Sequence, residues 1–252
     1  IGTVRADIAT ELGLPKNVVV AAGAGDNAAA ACGIGALNEG NGFISLGTSG
    51  VLLTGRDAYA PKPESAVHTF CHAIPNRWYQ MGVILAATDS LNWLSRNLQD
   101  SPGNLTNLLG DSIAGPGTMR FLPYLSGERT PHNDANMRGA FLNVDINAGH
   151  AALTQAVLEG VSFALRDNLE ALKSTGAQLD NLIAIGGGSQ SPYWVELIAT
   201  LLDLPISLPK AGEFGAALGA ARLAICATTN TDPEAIMTRP VIATTVSPRS
   251  DL

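Results

Sequence analysis

The sequence predicts an α/β domain, and three observations carry that prediction. Short aliphatic or β-branched runs of strand length, at residues 18–22, 43–46 and 182–185, alternate with stretches of helical period. The longest such stretch, residues 151–173, keeps Val157, Val161, Leu165, Leu169 and Leu172 on one face and Gln155, Glu159, Arg166 and Glu170 on the other. A chain of 252 residues with 46% hydrophobic and 15% charged side chains is long and apolar enough to bury one full core.

Taken in order, residues 1–13 read as a short helix, with Val4, Ile8 and Leu12 at four-residue intervals and Pro15 ending it. The run 18–22 reads as a buried strand. Gly23 and Gly25 break it before Asp26, and the small residues of 27–36 suit a closely packed helix. Gly40 and Gly42 lead into the strand 43–46, the tight loop Gly47-Thr48-Ser49-Gly50 and a second strand at 51–54. An acid at a strand-to-helix junction can accept a proton, and such a turn can offer N–H groups and hydroxyls to phosphate oxygens. Each feature also has a purely structural reading, Asp26 as a helix N-cap and the turn as a plain hairpin.

Pro61 and Pro63 mark residues 59–64 as a loop. Residues 67–73 and 78–85 read as two strands around a turn at Pro75-Asn76. His68 and His72 can share a face, but with no third ligand at a recognisable spacing they read as structural histidines. Residues 88–97 predict a helix with Leu91, Leu94 and Leu98 inward, leaving Trp93 to the core and Asn92 to the surface on the structural reading. The glycine-rich stretch 101–117 predicts a helix between joins. Residues 126–138 form a charged loop with Glu128, Arg129, His132, Asp134 and Arg138, a candidate to shape a site or else a salt-bridged surface loop. In the helix 151–173, Gly160 marks a close crossing. The strand 182–185 runs into Gly186-Gly187-Gly188-Ser189 and a helix with Trp194, Leu197 and Ile198 inward, a geometry that lets a nucleotide approach backbone. The spacing is not GxGxxG, so a dinucleotide fold is not supported. A short strand at 204–208 precedes a small-residue helix at 213–227, where Gly215 and Gly219 predict tight packing. From residue 228 onward Pro233, Pro240 and Pro248 predict loop.

The net charge of −7 argues against nucleic acid as a partner but not against a nucleotide held by local N–H groups. Cys32, Cys71 and Cys226, odd in number and without CxxC spacing, favour reduced thiols in a cytoplasmic protein. No apolar run approaches the ~18 residues that suggest a bilayer span, and Arg5 and Asp7 leave no signal-peptide pattern at the start.

Five blocks in order, Gly25-Asp26-Asn27, Ile44 to Gly50, Lys62 to His68, Ser126-Gly127-Glu128-Arg129-Thr130-Pro131-His132 and Gly186-Gly187-Gly188-Ser189, resemble the FGGY carbohydrate kinase family, most closely its xylulose-phosphorylating members. The resemblance implies an actin-like ATPase (ribonuclease H-like) domain, a mixed sheet flanked by helices. Residues 1–252 correspond to the nucleotide-binding C-terminal half, without the N-terminal sugar-binding domain and its Asp-x-Gly-Thr phosphate loop. It implies ATP with Mg²⁺ and a ketose acceptor, D-xylulose ahead of ribulose, gluconate or glycerol. By the same resemblance Asp26 is the catalytic acceptor of the hydroxyl proton and Asn27 holds the sugar. Gly47, Thr48 and Ser49 bind the nucleotide phosphates, Asn92 lies near the nucleotide, and Gly187, Gly188, Ser189 and Gln190 pack against adenosine. No residue of this half is expected to ligate metal alone. With half the cleft missing the chain is expected to catalyse little, and an uncovered apolar face is expected to favour a homodimer. The reading from another class is a nucleotide-binding module without catalysis, which has no use for an acid aimed at a sugar hydroxyl.

Overall fold

The computed structural model describes residues 1–210 and 215–252. The first residues pair with the apolar run that follows them. β1 (Gly2–Thr3) and β2 (Val19–Val20) form an antiparallel two-stranded ladder around α1 (Ala6–Glu11). Val4 donates its N–H to the Val18 carbonyl at 2.8 Å, so the helix expected over 1–13 is confined to its middle. The run 18–22, expected as a buried strand, is also corrected: Val19 and Val20 are 45% and 41% exposed. Their β-branching favours an extended backbone, but their partner β1 stands outside the main sheet.

α2 (Asp26–Ile34), β3 (Gly40–Leu46) and β4 (Gly50–Arg56) follow, then β5 (His68–Cys71) and β6 (Trp78–Ile84). Next come α3 (Thr88–Leu98), α4 (Pro102–Asn107), the hairpin of β7 (Arg120–Leu122) and β8 (Ala140–Leu142), and the long α5 (His150–Ser174). β9 (Leu179–Ile185), α6 (Pro192–Leu202), β10 (Ile206–Pro209), α7 (Ala216–Thr229), α8 (Pro233–Ile236) and β11 (Ile242–Val246) complete the order. Glu213, where the sequence places the start of the last long helix, lies outside the described residues.

Among the described residues the main sheet has seven strands in the order β11-β10-β9-β3-β4-β6-β5. β9 runs parallel to β3 and β10, and every other neighbouring pair is antiparallel. It is the expected mixed sheet flanked by helices. The tail is not the expected loop, because residues 242–246 pair with β10 as an edge strand. The run Ile-Ala-Thr-Thr-Val has strand composition, and Pro240 and Pro248 bound it rather than abolish it.

Both faces of the central strands are buried, which is why they read as near-continuous apolar runs. Phe43, Val51, Leu53, Tyr79 and Met81 face α2, while Ile44, Leu46, Leu52 and Ile84 join the cluster built with α3, α5 and α6. Small residues let α2 and α7 approach closely. A Cβ on Gly219 would overlap the Ala29 carbonyl, and one on Gly33 would lie 3.0 Å from the Gly215 oxygen. Arg222 of α7 donates to the carbonyls of Cys32 at 3.1 Å and Gly33 at 2.8 Å, partnering groups at the end of α2 that have no helical acceptor role left. Gly160 is pressed against the Phe121 carbonyl of β7, the close crossing its position predicts. Among the described residues no helix is long and apolar enough to cross a membrane.

Candidate functional site

Only Gly47, Thr48 and Ser49 separate the ladders of β3 and β4. The carbonyls of this hairpin are turned inward. Gly47 O accepts from the Thr88 N–H at 3.0 Å and the Thr88 hydroxyl at 2.7 Å, and Thr48 O accepts from Ala87 N–H at 2.8 Å and Asp89 N–H at 3.3 Å. Among the described residues the N–H groups of Gly47, Thr48 and Ser49 donate to no other residue, and the hydroxyls of Thr48 and Ser49 are exposed and unpaired. A turn with two of its carbonyls engaged and its donors free is a concavity for anions.

The turn after β9 is joined to the same place. Gly186 takes φ 88° and lies so close to β3 that a Cβ there would meet Leu46 O at 2.8 Å. Gly188 is wedged between Leu46, Trp194 and Thr88, with 2.8, 3.0 and 3.2 Å left for a Cβ. Ser191 caps α6 by accepting from Trp194 N–H at 3.3 Å, and the buried Trp194 donates from Nε1 to Ser162 at 3.1 Å. These contacts form one wall of a cleft of about 430 Å³, lined by Gly187, Gly188 and Gln190, with Thr88 and Asn92 of α3 and Thr106 of α4 across it. Asn92 therefore faces the cleft. Trp93 next to it stacks on Phe121 and Phe141 at 6.0 and 6.3 Å, as a core residue does. Ser189 is not in this cleft. Its hydroxyl closes the turn by donating to Gly186 O at 2.7 Å, and it lines a separate recess with Leu208 and Pro209.

Asp26 is the first residue of α2, and Gly25 occupies the N-cap position. The Asp26 carboxylate is exposed and, among the described residues, accepts only from its neighbour, at 2.7 Å from Asn27 N–H and 3.2 Å from the Asn27 side-chain amide. The capping reading does not account for it. Asn92, Gly187, Gly188 and Gln190 line the cleft, and Thr88 joins it to Gly47 and Thr48 of the hairpin. α2 packs on the other face of the sheet, with Asp26 at its exposed amino end, where its charge acts on Tyr79. Burial raises the Tyr79 phenol above its ordinary pKa, and the Asp26 charge raises it further.

The loop 126–138 is not held by ion pairs among the described residues. Glu128 and Thr130 are 3% and 1% exposed, so the loop is anchored by burial, and Tyr124 OH meets His132 Nε2 at 3.1 Å. His68 stacks on Phe70 and His72 sits edge-on to Tyr79, and the described residues hold no group of three or more His, Cys, Asp or Glu able to cage a metal.

The C-terminal domain model of the FGGY family of carbohydrate kinases matches residues 42–228. The chain belongs to that family. Xylulose kinase of Escherichia coli K12 is 41% identical over 226 residues, which are 88% of this chain and 46% of that protein. The crystal structure of a xyloylose kinase from Brucella ovis superposes with a TM-score of 0.96 at 55% identity, over 100% of this chain and 52% of that one. Ligand-bound xylulose kinase from Lactobacillus acidophilus gives a TM-score of 0.89 at 25% identity, over 100% of this chain and 51% of that one. This FGGY chain thus has the actin-like ATPase fold and spans about half the length of the relatives it matches.

Three features of this region have no plain sign in the sequence. Thr88 reads as a helix start, although a hydroxyl residue at that point can bond a neighbouring loop. The far cleft wall from α4 and the position of Tyr79 beside Asp26 had no local signal, since both arise from pairing between distant segments.

Proposed function

We propose that residues 1–252 are the nucleotide-binding C-terminal domain of an ATP-dependent ketose kinase that forms D-xylulose 5-phosphate from D-xylulose. The observation that carries this reading is the β3–β4 hairpin, whose free N–H groups and hydroxyls adjoin the glycine-walled cleft. Likeness to xylulose kinases along most of the chain supports the acceptor sugar.

In this reading Gly47, Thr48 and Ser49 hold the phosphates through backbone N–H and hydroxyl groups. Gly187, Gly188, Gln190 and Asn92 flank the adenosine, and Ser189 acts indirectly by closing the turn. Asn27 hydrogen-bonds a sugar hydroxyl, and the exposed carboxylate of Asp26 orients the attacking hydroxyl and accepts its proton. An ordinary carboxylate suffices, because in phosphoryl transfer the leaving bond is largely broken before the proton must move. The amino end of α2 favours the ionised form. Mg²⁺ would arrive on the nucleotide and neutralise charge on its phosphates. The sugar pocket and closing wall would come from the half of the relatives' length that these 252 residues do not span, so these residues by themselves give up the effective molarity of a closed cleft.

The test is a coupled assay of ADP release with D-xylulose, ribulose, gluconate and glycerol, on this chain and on a protein that joins it to an N-terminal FGGY domain. The joined protein should prefer D-xylulose and lose turnover in Asp26→Asn while keeping its ADP affinity. A joined protein that binds ADP but turns over equally with and without Asp26 refutes the catalytic reading in favour of a binding module.

A further inference from the structure

β5 covers the edge of β6 only from Trp78 to Met81. Beyond that point the loop 126–138 takes over as the edge partner. Thr130 N–H donates to Val83 O at 3.1 Å, and the Thr130 hydroxyl accepts from Val83 N–H at 3.1 Å while donating to Ala66 O at 2.8 Å. Two residues on, Glu128 Oε1 accepts from Leu85 N–H at 3.0 Å and from Arg129 N–H at 2.7 Å. Leu85 N–H has no other acceptor among the described residues, and Glu128 Oε2 is buried without a partner. Leu85 leads within four residues to Ala87, Thr88 and Asp89, whose N–H groups hold the carbonyls of Gly47 and Thr48.

We infer that Glu128 is a positioning residue for the phosphate-binding hairpin, acting through Leu85 and the start of α3. The inference rests on the nucleotide reading of that hairpin. A buried carboxylate makes a charge-assisted acceptor, stiffer than a neutral one, and fixes the strand-to-helix joint from which the hairpin hangs. Removing it leaves the Leu85 and Arg129 N–H groups without that acceptor in a half-buried place, which favours local opening of the joint. The same bond ties the loop bearing Arg129 and His132 to the nucleotide side of the domain.

The experiment compares wild type, Glu128→Met and Glu128→Gln by hydrogen exchange resolved to residues 47–50 and 85–89, with ADP affinity by calorimetry. Met fills the volume without an acceptor, and Gln restores one. In Glu128→Met both segments should exchange about tenfold faster or more, as expected when part-buried donors lose their acceptor, while α5 and β9 exchange as before. ADP should bind severalfold more weakly, and Glu128→Gln should return both readings close to wild type. Unchanged exchange at 47–50 in Glu128→Met, or a Gln variant as impaired as Met, overturns the tether. Faster exchange with no ADP binding by wild type overturns the nucleotide reading and with it the positioning role.

Discussion

Replacing Gly219 by alanine sets two physical effects against each other, and the structure decides the sign. Glycine to alanine inside a helix should stabilise it by about 1 kcal/mol. Here a Cβ would lie 2.5 Å from the Ala29 carbonyl carbon and 3.1 Å from its Cα, with the carbonyl oxygen nearer still. Carbon contacts relax only near 3.5 Å, so α7 must retreat from α2 by about 1 Å. The obstacle is backbone, which cannot rotate away, and overpacking of this kind costs about 3 kcal/mol at the upper end of its usual range. The retreat also stretches the bonds from Arg222 to Cys32 and Gly33, now 3.1 and 2.8 Å. The net loss is about 2 kcal/mol, or a Tm lower by about 4–8 °C for a chain of this size. Gly103 in α4 is the control, since nothing lies within 4 Å of its Cβ position. Gly103→Ala should be neutral or slightly stabilising. Urea unfolding followed by tryptophan fluorescence, with scanning calorimetry, gives both values. A Gly219→Ala protein as stable as wild type would refute the account of how α2 is seated.

Two further outcomes follow from buried titratable groups. Burial lowers the pKa of His72 from 6.5 to about 4, so the folded protein holds it neutral where the unfolded chain is already charged. Its contribution is therefore complete above about pH 6.5 and is lost as pH falls toward 4, up to about 3 kcal/mol in all. Stability measured across that window should flatten in His72→Phe, and equal slopes in both proteins would contradict the assignment. Burial raises the Cys32 thiol to about 11, whereas Cys71 is exposed. Iodoacetamide at neutral pH should label Cys71 first and Cys32 only on unfolding, and early labelling of Cys32 in peptide maps would show that α2 and α7 part readily.

The central strands were legible because burial on both faces leaves an uninterrupted apolar run, and the long helix α5 because its stripe holds over 25 residues. The hairpin at Gly47 to Ser49 and the turn at Gly186 were legible as glycine punctuation between such runs. What stayed hidden depends on which strand pairs with which. Val18 to Val20 look like core, yet their partner is a two-residue strand outside the main sheet. Ile242 to Val246 were masked by flanking prolines, although pairing with β10 needs only the residues between them. Within the site, the glycines announced the cleft, but Ser189 turned out to serve its own turn. Glu128 carried no local sign that its carboxylate would reach across to Leu85.

The inward-turned carbonyls of the hairpin have an electrical consequence. With Gly47 and Thr48 oxygens engaged by the start of α3, the loop cannot rotate to present negative dipoles to an approaching cation. Its polarity is fixed when the chain folds, and the reorientation that water or a floppy loop must undergo around each incoming anion has already taken place. On the proposed nucleotide reading the loop discriminates by sign before it discriminates by shape, and it does so with no lysine or arginine of its own.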